Sequence, residues 1–257
     1  MGRRFLLISL VFLLIKSNLF ATPPTIDTIR DHSYIEKLYI GSGLDAGIFS
    51  TATIKHYYPP SFGGNGYTTN TNGTLRFSYV INYGVTFNAN VNRHFGIYTG
   101  IDLKNIGFIE KNNSGETVKR RTYNLGAPLG FKVGNMKRKK NYLFLGGGLD
   151  FPVNYKEKVF AVRDQKSKFN EWFSTRTPLL MPYLFIGVKI KSNITFKFQY
   201  YPNNYLNPGY VASNGTIPYY GYNVHLILFS LGYDMHFGKH KDNVVKNTIT
   251  KPTISTL

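Results

Sequence analysis

The eighteen residues from Leu75 to Asn92, LRFSYVINYGVTFNANVN, alternate from end to end. Leu75, Phe77, Tyr79, Ile81, Tyr83, Val85, Phe87, Ala89 and Val91 share one parity; Arg76, Ser78, Asn82, Gly84, Thr86, Asn88, Asn90 and Asn92 share the other, and only Val80 breaks the pattern. Successive side chains of a β-strand point to opposite faces, so this stretch predicts one strand with an apolar surrounding on one side and water or polar groups on the other. Strands of soluble domains usually run about 5–6 residues. A longer one suits the wall of a membrane barrel, where about 9–11 residues cross the lipid and the surplus stands above it. On that reading Phe77, Ile81 and Phe87 face lipid, Asn82, Thr86 and Asn88 face a packed lumen, and Arg76 and Ser78 stand above the bilayer.

Working outward, period-2 segments recur on both sides. The first strand runs from about Lys37 to Phe49, with Leu38, Ile40, Leu44, Ala46 and Ile48 on its apolar face, and a polar loop, Ser50 to Thr74, follows. After the quoted stretch come strands at Phe95 to Ile109, Tyr123 to Val133, Leu143 to Val153, Leu180 to Ile190, Ile194 to Tyr201 and about Tyr222 to Phe237. Met181, Tyr183 and Phe185 blur the alternation of the sixth. The count is eight, with longer loops after the first, third, fifth and seventh strands and short turns after the second, fourth and sixth. This predicts an all-β, eight-stranded antiparallel up-and-down transmembrane β-barrel over residues 37–237, with long loops outside the cell and the turns and both ends periplasmic. A soluble lipocalin-like barrel also alternates over eight strands. The polar parity is rich in glycine (Gly84, Gly100, Gly126, Gly130, Gly146 and Gly148 among others), which suits a crowded lumen better than a soluble outer coat.

The flanks and composition are consistent with export. Arg3 and Arg4 precede the apolar run Phe5 to Ile15, and small or polar residues lead to Ala21, which predicts a signal peptide over 1–21, cleaved near Ala21. Residues 22–36 then form a periplasmic N-terminal segment and 238–257 a polar basic periplasmic tail. No cysteine is present, so neither a disulfide framework nor an acylated N-terminal anchor is available. Twenty Tyr, twenty Phe and twenty-five Gly suit aromatic-rich strands that approach one another closely. The net charge of +18 raises nucleic acid as a partner. Export and scattered charge argue against it, and the densest run, Lys137 to Lys140, falls in a turn. Outer-membrane lipid and lipopolysaccharide are the more natural anionic partners.

The last strand ends Ser230-Leu231-Gly232-Tyr233-Asp234-Met235-His236-Phe237. This resembles the final-strand signal of bacterial outer-membrane β-barrels, which the family's assembly machinery recognises: a polar residue (Ser230), Gly232 two later, then Tyr233, Met235 and Phe237 at alternating positions, with Met235 where an aromatic is usual. The whole segment after the signal peptide resembles the small eight-stranded outer-membrane barrels. Its Tyr, Asn and Lys richness and the run Gly41-Ser42-Gly43-Leu44-Asp45 are similar to the PorT-like barrels of Bacteroidetes-type bacteria. The resemblance implies an outer-membrane location and a partner in secretion or at the surface.

Polar-face charges are few and nearly balanced: Asp45, Asp102, Asp150 and Asp234 against Arg76, Lys104, Lys132 and Lys197. Buried charge is tolerated when paired, so these predict an ionic network filling a narrow lumen, with Lys197 and Asp234 as neighbours across the ladder. A barrel of about eight strands has an interior just wide enough for side chains, which favours a plug over a pore. Some barrels of the family modify lipid A, but a hydrolase needs a nucleophile within reach of a base, and no His-x-Ser occurs. No metal-ligand spacing is present, and no cofactor is expected. Tyr67, Trp172, Tyr205 and Tyr210 lie in the long loops and are candidate contacts for a ligand or partner protein. The leading expectation is a non-enzymatic outer-membrane barrel serving envelope structure or partner binding; a narrow pore and a lipid A-modifying enzyme are the alternatives.

Overall fold

The computed structural model describes residues 37–60, 65–78, 82–111, 115–136, 141–160, 166–190 and 193–237. The proposed signal peptide, the segment 22–36, the tail 238–257 and the basic run 137–140 lie outside them. Among the described residues are eleven strands: β1 (Leu38–Tyr58), β2 (Tyr67–Asn72), β3 (Arg76–Ser78), β4 (Asn82–Asn90), β5 (Phe95–Lys111), β6 (Thr117–Gly134), β7 (Tyr142–Phe160), β8 (Lys166–Trp172), β9 (Met181–Lys189), β10 (Ile194–Tyr201) and β11 (Tyr222–Phe237). Eight of them, β1, β4, β5, β6, β7, β9, β10 and β11, pair in that order, and β11 pairs back onto β1 to close an antiparallel ring. Closure leaves the eight-strand ring without an edge strand. The quoted stretch supplies β3 and β4, which lie one after the other against Ile48–Ser50 and Leu38–Asp45 of β1.

Short turns are made by residues suited to them. Asn92 Oδ1 accepts hydrogen bonds from the backbone N–H groups of His94 and Phe95, both at 2.8 Å, fixing the β4–β5 turn. Asn193 takes a left-handed φ of 63° before β10, a conformation asparagine tolerates better than most residues.

Outward positions are apolar around the ring: Phe87 on β4, Ile101 and Leu103 on β5, Leu129 and Phe131 on β6, Leu145 on β7, Ile186 on β9, Phe198 on β10 and Leu231 on β11 are all exposed. Soluble monomers rarely expose an apolar patch larger than a few hundred Å², so a belt around the whole barrel needs an apolar solvent. Inward positions hold the polar set, including Arg76, Ser78, Asn82 and Asn88 of the quoted stretch. The blurred sixth strand is resolved in the same way, with Met181, Tyr183 and Phe185 buried inside and Leu184 and Ile186 outside.

Three expectations are corrected. The first concerns β1, whose register against β11 shifts between Asp45 and Gly47. One extra residue in a strand reverses the facing of everything beyond it. Asp45 faces the lumen, and so does Ile48, at 0% exposure, rather than sharing the outer face with Leu38 and Ile40. Ile48, Ala52 and Ile54 then meet Val224, Leu226 and Leu228 in an aliphatic core at the long-loop end, so that part of the interior is not polar. Secondly, the loop read over Ser50–Thr74 is largely strand: β1 continues to Tyr58 and β2 returns against it. Thirdly, Lys156–Thr177 is likewise a ribbon through Phe160, with β8 pairing back onto β7. The returning strands β2 and β8 carry polar residues on both faces, so alternation does not reveal them.

Candidate functional site in the filled lumen and at its mouth

Strands β1, β5, β7 and β10 bring five charges to mid-barrel. Lys104 Nζ lies 2.8 Å from Asp150 and 3.4 Å from Asp102, and 3.4 Å from the centre of the Tyr183 ring. Asp150, at 0% exposure, also accepts a hydrogen bond from the Tyr201 hydroxyl at 2.6 Å. Lys197 pairs with Asp45 at 2.7 Å, and Ser230 donates to the same carboxylate at 3.3 Å. Buried ions persist only with this kind of satisfaction. Gly232 sits opposite Asp45 in the ladder, and a Cβ there would strike the Asp45 carboxylate and, at 2.7 Å, Thr195 Oγ1. Ser230 and Gly232, quoted above for the final-strand signal, thus also make room for a lumen ion pair.

At the short-turn end, Lys132 donates to Asn88 at 3.1 Å and to the Tyr39 hydroxyl at 3.0 Å. Asp234 pairs with Lys189 at 2.5 Å, which corrects the expectation that Lys197 is its neighbour. Lys189 has the same inward parity as Tyr183 and Phe185. Between the two ionic layers a row of residues crosses four strands, Tyr98, Gly130, Gly146 and Phe185, alternating large, small, small and large. The Tyr98 and Phe185 rings, 6.1 Å apart, cover the space the glycines leave.

Arg76 is not paired with the carboxylates of the network. It donates to Asn105 at 2.7 Å and more weakly to Ser50 and Ser78, within the aliphatic end of the lumen. Nearer the mouth lies a cluster the sequence did not reveal: Arg120 bridges Glu110 and, at 3.0 Å, Glu157, and Tyr155 donates to Glu157 at 2.7 Å. Glu110 and Glu157 fell in segments read as loops. Only the extension of β5, β6 and β7 gives them an inward parity.

Of the four loop aromatics, the structure leaves two available. Trp172 is 66% and Tyr67 59% exposed. Tyr205 is corrected: at 2% exposure it is part of the core, edge-on to Phe108, with its hydroxyl 3.4 Å from Thr122. Burial pushes its phenol well above the usual tyrosine range, so it stays a neutral donor. Tyr210 is half-buried, packed on Tyr219 and on the Arg176 guanidinium 4.7 Å from its ring.

Chemically, the interior can hold charge but has little room to move solute. The cavity among Asp45, Asp102, Lys104, Tyr98, Tyr183 and Lys197 has a volume of about 90 Å³. One water needs about 10–15 Å³ on this measure, so the space has room for several waters. A larger groove of about 860 Å³ opens where β9 and β10 stop short, lined by Phe151, Phe173, Pro178, Leu179, Pro202 and His225 among others. Among the described residues no group of three or more His, Cys, Asp or Glu side chains is placed to hold a metal.

No protein-family model and no curated protein matches this chain. Among solved structures, it is similar to the attachment invasion locus protein Ail of Yersinia pestis, with 11% identity, 79% of this chain and 100% of that chain covered, and a TM-score of 0.34. It is also similar to Neisserial surface protein A, at 12% identity, 79% and 99% coverage and a TM-score of 0.36. The outer membrane protein AlkL is a third, at 10% identity, 86% and 99% coverage and a TM-score of 0.36.

Proposed function

We propose that this chain is an exported, integral outer-membrane barrel without catalytic or channel activity, which supports the envelope or holds a surface or secretion partner through its long connections. The observation that carries the reading is the inversion of the barrel: an apolar belt outside, and an interior filled by ion pairs and packed rings. An apolar exterior calls for lipid, and a closed barrel is the β-structure that satisfies its backbone there. The N-terminal signal pattern and the resemblance of Ser230, Gly232, Tyr233, Met235 and Phe237 to a final-strand signal support delivery by barrel assembly machinery. Exposed Trp172 and Tyr67, with the groove lined by Phe173 and Leu179, offer the contact surface for a partner.

Expressed with its own N-terminus in a diderm bacterium, the full chain is expected in the outer-membrane fraction. It should resist extraction by carbonate, and unheated samples should migrate differently from boiled ones in a gel. Recovery in the soluble periplasm, with a single migration regardless of heating, contradicts the reading.

A further inference from the structure

The register of the β6–β7–β8 ribbon assembles a face that the sequence shows only as scattered lysines. Lys119 pairs with Lys158 and Lys158 with Lys168, so three lysines stand side by side across three strands. One step along, Arg121 lies beside Lys156, and on the other side Lys166 lies beside Phe160. Of the described residues in the paired β7–β8 stretch, the acids Glu157 and Glu171 belong to the opposite face, with Tyr155. Like charges directly opposite one another destabilise a sheet, so the ladder pairing itself does not favour three lysines abreast. Partial desolvation, together with Arg121, Lys166, Lys168 and Lys119, pushes the Lys158 ammonium below the usual lysine range.

The position of this face limits what it can meet. On β6 the outward column runs Val133, Phe131, Leu129, Ala127, Leu125 and Tyr123, and continues through Arg121 and Lys119. From Val133 to Tyr123 the rise is about 25 Å, taking ~3.3 Å per residue and a strand tilt near 40°, which matches the apolar band of such barrels. Lys156 stands over the Tyr123 ring at 4.8 Å, and Lys119 and Lys166 flank the Phe160 ring at 4.9 and 5.1 Å. The cations therefore begin where the apolar column ends and point sideways, in the same direction as the lipid-facing leucines.

We propose that the outward face of the β6–β7–β8 ribbon, centred on Lys119, Lys158 and Lys168 with Arg121 and Lys166 beside them, docks the phosphorylated headgroups of the lipid leaflet surrounding the barrel. Charge complementarity and continuity with the apolar column select a lipid. The proposal rests on the membrane reading above, because only a barrel seated in lipid places headgroups at this height. Rings between the cations provide the amphipathic surface favoured at headgroup depth.

The test uses the full chain folded in zwitterionic detergent and titrated with lipid A carrying both phosphates, with dephosphorylated lipid A, and with heparin. Insertion of the same preparation into phosphatidylcholine vesicles is scored separately. Phosphorylated lipid A is expected to bind at least about tenfold more tightly than the dephosphorylated form, in a salt-sensitive manner. The triple variant Lys119→Gln, Lys158→Gln, Lys168→Gln should lose that preference while keeping its heat-modifiable migration, since removing opposed charges relieves the ribbon. The corresponding triple arginine variant should retain it. Unchanged lipid A binding by the glutamine variant, equal binding of the dephosphorylated lipid, or preference for heparin overturns the proposal while vesicle insertion stands. Failure to insert into vesicles overturns both this proposal and the membrane reading.

Discussion

Replacing Lys104 by methionine is expected to destabilise the barrel by about 3–5 kcal/mol, the range measured when one partner of a buried ion pair is removed. The side chain is 2% exposed and stands between Asp150 at 2.8 Å and Asp102 at 3.4 Å, so the substitution leaves two carboxylates facing each other without a cation. Asp150→Asn should be milder, because Lys104 keeps Asp102 and the amide oxygen can still accept from Tyr201. Combining Lys104→Met with Asp150→Leu should recover part of the loss, as apolar replacements of a whole pair often do. Urea titration of the vesicle-inserted protein, read by heat-modifiable migration, gives the cycle. Equal stability of Lys104→Met and the wild type would mean that the mid-barrel ions are solvated rather than packed.

The second large effect is expected at Gly146. A Cβ there would overlap the Leu129 carbonyl oxygen and approach Gly130 Cα at 2.6 Å and the Phe185 ring at 2.7 Å. Two of those three obstacles are backbone of the adjacent strand and cannot swing away. Gly146→Val should therefore cost about 3 kcal/mol, the upper end of ordinary overpacking, or prevent assembly. Gly43 is the matched control: it also lies on a barrel strand, yet nothing stands within 4 Å of its would-be Cβ. Gly43→Ala should leave stability within about 0.5 kcal/mol. The same urea titration compares them, and equal losses at the two sites would contradict the packed-row description.

Much of the architecture was legible because alternation is a physical requirement of a stave with two different surroundings. Leu75–Asn92, Tyr123–Val133 and Ile194–Tyr201 carry it clearly, and the structure places their described apolar members outward, apart from Tyr201, which shares the inward parity of Lys197 and Gln199. What was not legible has identifiable causes. The extra residue between Asp45 and Gly47 reverses Ile48, Ala52 and Ile54, and a second shift, opposite Tyr123 and Asn124, turns Tyr155 and Glu157 inward; neither has a hydrophobic signature. Ribbons such as Tyr67–Asn72 are polar on both faces and look like loops. Tyr205 looked like a surface aromatic because its segment is irregular, yet that segment folds back into the barrel mouth and buries the ring. Ion-pair partners depend on register as well as parity, which is why Lys197 meets Asp45 and Asp234 meets Lys189.

The central claim, a closed barrel whose lumen is filled, is tested most directly by planar-bilayer recording of the folded full-length protein. The structure predicts no steady unitary current at moderate voltage, because the mid-barrel space among Lys104, Asp102, Lys197 and Asp45 amounts to only about 90 Å³. Reproducible steady conductance steps, altered in size or ion preference by Lys104→Met or Lys197→Gln, would contradict it.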